Sequence, residues 1–137
     1  MIMRRDFDPP QADVLYLESC GLPWEAVRDQ GALWIIIHER PVPSGYGVDL
    51  VSTALMLPPT YPDGPIDMVY LYPALERLDQ VPIGALSPHP FDGKQWQRWS
   101  RHRTPDNPWR AGEDDIPAHL ILVDHWLARE FLLKPKP

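Results

Sequence analysis

The sequence predicts an α+β domain: an N-terminal helix, an antiparallel β-meander, a long ordered loop and a C-terminal helix. Three observations carry that reading. An unbroken β-branched and aromatic run, Leu33-Trp34-Ile35-Ile36-Ile37, has the character of a strand buried on both faces. Residues 116–133 place Ile116, Leu120, Val123, Leu127 and Phe131 at helical spacing, with Trp126 beside them. Between these segments the prolines and glycines fall in clusters that no helix or central strand accommodates.

In chain order, residues 12–20 form the first helix. Val14, Leu15, Leu17 and Leu22 give it an apolar side, Gln11 or Asp13 is its expected cap, and Gly21 stops it. Cys20, at its end, is expected as a small core residue. Residues 31–40 are the first strand, ended by Pro41 and Pro43 before a Ser-Gly-Tyr-Gly turn. Residues 48–57 are a second strand. The following PPTYPDGP connection is rigid and irregular, because its four prolines lack donors and fix φ. Residues 66–72 are the third strand. Residues 73–115 have little periodicity and read as a long ordered loop with one short strand or helical turn, a length that usually marks function. At the last helix, Asp114 and Asp115 sit where the dipole favours negative charge, and Pro117 fits the first turn. Residues 1–133 therefore make one domain, with 134–137 a flexible tail.

Composition bounds the class. The 137 residues are 44% apolar and 23% charged, the balance of a soluble globular protein with a real core. Eighteen prolines, about 13% against an ordinary ~5%, suit a small fold with proline-stiffened loops. A single cysteine excludes a disulfide framework and a cysteine-rich zinc site, and fits a reducing, cytoplasmic setting. No signal peptide or membrane-length apolar run is visible. The net charge of −6 argues against general nucleic-acid binding. His38, His89, His102, His119 and His125 offer no i,i+4 pair, so neither a metal nor another cofactor is expected. His119 is expected to face the core or the loop and to orient the loop through Asp114 or Asp115, whereas Asp124 and His125 are expected to be exposed.

The order of elements and the connection Tyr61-Pro62-Asp63-Gly64-Pro65-Ile66 resemble the ubiquitin-conjugating (UBC) fold, which carries a Tyr-Pro-x-x-Pro-Pro turn between its second and third strands. After the third strand that fold has His-Pro-Asn, matched here by His89-Pro90-Phe91. The catalytic cysteine follows about ten residues later, where this chain has Trp99-Ser100, and a tryptophan turn comes next, matched by Trp109. The segment WQRWSRHRTPDNPWRAGEDDI before a leucine-rich helix resembles prokaryotic ubiquitin-conjugating-like family E more specifically. Two departures are plain: the loop has no cysteine, and the asparagine that would stabilise an oxyanion is Phe91.

The resemblance implies a UBC-like protein that handles the C-terminus of a ubiquitin-like protein. Its expected partners are that protein and a ThiF-like activating-enzyme homologue, with a JAB-type peptidase as a further one. With no thiol in the loop, Ser100 is the substitute acyl acceptor by register, and a serine needs a base. His102, two residues on, shares a side with Ser100 on an extended segment, and His89 is a second candidate base. Lys94, Arg98, Arg101 and Arg103 form a local cationic strip without an acid, suited to a partner's tail carboxylate. With Trp96 and Trp99 interleaved, that strip is also the one feature that suits single-stranded nucleic acid, the weaker alternative. Arg98, Arg101 and Arg103, or backbone amides near Trp109 and Gly112, are candidate oxyanion donors, and Trp109 counts with the arginines as a tail-binding residue, while Trp109 and Tyr61 are also expected to pack beneath the loop. The rival reading is a non-catalytic binding module that keeps the fold and its partner surfaces.

Overall fold

The computed structural model describes residues 2–133. The order is α1 (Gln11–Ser19), β1 (Trp24–Asp29), β2 (Ala32–Pro41), β3 (Leu50–Leu57), β4 (Val69–Tyr72), β5 (Leu86–Phe91), β6 (Lys94–Trp99) and α2 (Ile116–Leu133). All the strand pairs are antiparallel, in one six-stranded sheet ordered β1-β2-β3-β4-β6-β5. This α+β architecture is consistent with a UBC-like fold. The tail at 134–137 lies outside the described residues.

Three of the six strands depart from the sequence reading. β1 contains Glu25 and Arg28 and has no clean alternation, yet Trp24, Glu25, Ala26 and Val27 are all buried. Residues 73–115 are not one long loop, because β5 and β6 form a hairpin within them. Each missed hairpin turns on two residues in the left-handed region: Gln30-Gly31 at φ 50° and 81°, and Asp92-Gly93 at φ 52° and 71°. Paired positive φ values give a turn whose twist matches that of the strands, and glycine occupies the second position without strain. Pro88 and Pro90 argue against a strand, but β5 is the sheet's edge, and prolines two apart direct their missing donors away from β6.

Both helices pack on one face of the sheet. Leu17 of α1 and Ile116, Leu120, Val123, Trp126 and Leu127 of α2 close over Trp24, Ile35, Ile37, Leu55, Leu71 and Trp99. Alternate residues of the same strands build a second cluster on the opposite face: Val27, Trp34, Ile36, Ala54, Tyr70, Phe91 and Trp96. Trp34 stacks on Phe91 at 3.8 Å between ring centroids, and Phe91 stacks on Trp96 at 4.7 Å. β2 is thus buried on both faces, as its apolar run predicts.

α1 is anchored differently from the sequence expectation. Its N-cap is Pro10, with no side-chain cap bond, and Leu15 stays 63% exposed. Asp13 is buried and accepts a hydrogen bond from the Tyr61 hydroxyl at 2.6 Å, while that hydroxyl oxygen accepts the Ile116 amide at 3.0 Å. One phenol therefore joins α1, the proline turn and the first residue of α2. Tyr61→Phe leaves a buried carboxylate and an amide without this partner, and should cost about 1–3 kcal/mol in urea-induced unfolding. Asp115 caps α2 by accepting the Ala118 amide through Oδ1 at 3.0 Å. Cys20 is exposed at the end of α1, a correction to the expected core position, because the helix turns its Leu17 side to the sheet instead.

Candidate functional site

The segment after β6 runs beside the proline turn. Its course is set by backbone bonds from Ser100 N to Ala85 O at 3.0 Å and from Met68 N to Arg101 O at 3.1 Å. Trp109 donates its indole Nε1–H to Pro62 O at 3.1 Å and packs its ring against Tyr61. Between turn and segment lies a groove of about 460 Å³, lined by Pro65, Ile66, Asp67, His102, Arg103 and Trp109 among others.

The predicted residues divide within this frame. His102 is 61% exposed and its Nδ1 lies 2.7 Å from Asp67 Oδ2. No hydrogen bond joins it to Ser100, which is half-buried at the end of β6. His89 lies elsewhere: it sits on β5 opposite Trp96, four residues or roughly 13 Å along the strand from Ser100. There its ring meets Trp34 and Tyr70, and burial together with the Arg98 charge lowers its pKa. The family's histidine-proline pair is therefore part of a strand here and not of a loop.

The cationic strip is largely tied down by the protein itself. Arg98 donates Nε–H to Ser87 Oγ at 2.9 Å. Arg101 bonds Gly84 O, lies over the Trp99 ring and faces Glu130 across the fold at 3.6 Å. Arg103 contacts Asp114 at 3.4 Å and His119 at 3.2 Å and lies over Trp109, while its buried Nε has no partner. Lys94 is set apart at the β5–β6 turn, over the Tyr72 ring. Lys94 and Arg98 leave β6 on the same face, four residues apart, whereas Arg101 and Arg103 lie beyond the strand and take their partners from α2 and the segment before it. Trp96 and Trp99 are 1% and 0% exposed, one in each core cluster, so neither presents a ring for base stacking.

His119 is fully buried. Its Nε2 lies 2.8 Å from Met68 O, and Arg103 reaches its Nδ1. The carbonyl can only accept, so Nε2 carries the proton and Nδ1 accepts from Arg103. His119 thus orients the segment through Arg103 and Met68, and Asp114 enters only as the next partner of Arg103. Burial lowers its pKa to about 4, with the Arg103 charge acting in the same direction. Among the described residues no group of three or more His, Cys, Asp or Glu is placed to hold a metal ion. None of the described helices is long and apolar enough to cross a membrane.

An antiparallel sheet with both helices on one face, a Tyr-Pro turn locked to those helices, and a tryptophan-pinned segment after the last strand define an E2-like protein. Residues 9–130 match the family model for prokaryotic E2 family E, and the chain belongs to that family. Neither the curated proteins nor the solved structures contain a match.

Proposed function

We propose that the chain handles the C-terminal tail of a ubiquitin-like protein by binding it in the groove between the proline turn and residues 102–109, and carries no thioester there. The observation that supports this reading most directly is the groove's chemistry. Its walls set Pro65, Ile66, Pro105, Pro108 and Trp109 beside Asp67, His102, Arg103 and Thr104, it contains no thiol, and Arg103 keeps a buried Nε–H without a partner. A groove with proline, isoleucine and tryptophan walls and a guanidinium at its side suits an extended tail of small residues ending in a carboxylate. The one thiol, Cys20, lies at the end of α1 away from Asp13, about 10 Å along the helix axis. A ubiquitin-like protein and a ThiF-like activating enzyme are the partners this reading assigns, with a JAB-type peptidase as a third.

A second reading makes Ser100 an acyl acceptor. What favours it is the His102–Asp67 pair: a carboxylate holds one ring nitrogen and leaves Nε2 free, which is how a general base is oriented. One experiment separates the two. The protein is mixed with its cognate ubiquitin-like protein, the activating enzyme and ATP, and followed by intact mass spectrometry and by titration of the ubiquitin-like protein alone. Binding without an adduct, weakened about tenfold by Trp109→Ala, is the expected result. An adduct released by hydroxylamine and absent in Ser100→Ala selects the second reading. An adduct released by thiol reductant places the chemistry on Cys20 and overturns both.

A further inference from the structure

On the sheet face without helices, three polar side chains from three different strands meet in a chain of hydrogen bonds. Ser52 Oγ on β3 lies 2.8 Å from His38 Nδ1 on β2, and His38 Nε2 lies 2.8 Å from Glu25 Oε1 on β1. The protons are fixed by elimination. Glu25 accepts the Arg4 backbone amide at 3.1 Å and the Arg4 Nε–H at 2.6 Å through its other oxygen, Oε2. Burial opposes its ionisation, but the bonds from Arg4 and His38 prevail and hold its pKa at about 2. An ionised carboxylate only accepts, so Nε2 carries the ring proton, Nδ1 presents its lone pair, and the Ser52 hydroxyl donates to it.

The backbone supports this arrangement. The β2–β3 register slips between Ile37 and Arg40, so His38 and Glu39 together oppose Ser52, and Glu39 takes φ 58°. A β-bulge re-aims side chains, and a non-glycine residue at positive φ persists only where its surroundings enforce it. The three residues open onto a cleft of about 790 Å³, lined also by Ile2, Met3, Pro23 and the charged residues Arg4, Glu39 and Lys94.

We propose that Ser52, His38 and Glu25 form an acyl-transfer centre, distinct from the groove at residues 102–109, acting on a short acyl ester or thioester with an anionic group near Lys94. Ser52 Oγ attacks the carbonyl carbon while its proton passes to His38 Nδ1. The alcohol or thiol leaves with that proton, and an acyl-serine remains. Water then attacks the acyl-serine through the same base, releasing the acid and restoring the hydroxyl. Glu25 is a positioning residue that fixes the ring tautomer and faces the imidazolium while it exists.

The test treats the full-length chain with a fluorophosphonate, which places a phosphonyl group on an activated serine with loss of fluoride, followed by peptide mapping. An adduct on Ser52 in the native protein and not in urea is expected, and it should form about a hundredfold more slowly in His38→Gln. The native-versus-urea comparison needs no variant, so a failure of His38→Gln to fold does not decide the matter. An unmodified Ser52, or one modified equally in urea, overturns the proposal. The labelling needs no ubiquitin-like protein, activating enzyme or ATP, so its outcome is independent of the tail-binding reading.

Discussion

Trp99→Ala should remove about 3–5 kcal/mol of stability, read as a lower urea midpoint at an unchanged slope. The indole is fully buried between the sheet and the helices, beside Tyr46 and among Leu71, Ile116 and Leu120. Its removal leaves a cavity in a sheet that cannot collapse around it, because β6 is held by β4 on one side and β5 on the other. Polar losses add to the apolar one. The Trp99 Nε1–H is donated to Gln97 Oε1 at 2.9 Å, and Gln97 in turn accepts the Leu75 amide through Oε1 at 2.9 Å and donates its Nε2–H to Leu75 O at 3.0 Å. Arg101 also loses the ring beneath its guanidinium. Because Ser100 and His102 follow directly, the groove's geometry should fail together with the core.

Acidification should destabilise the protein well before its carboxylates protonate, and His119 is the reason. Its folded pKa of about 4 lies below the ordinary ~6.5, so the unfolded chain takes up a proton that the folded protein refuses. Above pH ~6.5 the residue contributes no pH dependence. Between ~6.5 and 4 stability falls steadily, by about 3 kcal/mol in total, and below 4 this contribution is flat. Glu25 acts in the next window, with stability present above its ordinary carboxylate pKa and lost as pH falls toward 2. Urea midpoints measured from pH 7 to 4 should show the first decline. His119→Gln should flatten it, and a decline of equal size in that variant would assign it to another group. The same titration reports on the groove, because a protonated Nδ1 would confront the Arg103 guanidinium directly.

The strongest sequence signals proved to be those whose cause is local. The apolar period of residues 116–133 needs only a helix and a core to face, and α2 has those bounds. The Leu33–Ile37 run needs cover on both sides and receives it from the two clusters. The Tyr-Pro turn was legible as a motif, while its partners were not, since Asp13 and Ile116 lie 48 and 55 residues away. The β5–β6 hairpin was hidden by its prolines, which are tolerable only on an edge strand, and no single-chain pattern states which strand is the edge. Asp92-Gly93 and Gln30-Gly31 were the signals that could have revealed both missed hairpins.

By itself, then, the sequence determined the class of fold, the two core-forming segments, the family to which the chain belongs and the lack of a thiol after β6, because each is written in neighbouring residues or in composition. Which polar residues meet was decided only by the tertiary structure. Arg101 and Arg103, one strip on paper, turn inward to Glu130 and to Asp114 and His119, because long-range packing sets each side chain's partner. Glu25, His38 and Ser52 show no motif spacing; strand pairing and one bulge bring them into line. Hydrogen bonds act over about 3 Å in space whatever the separation in sequence, so a site assembled across three strands has no signature along the chain.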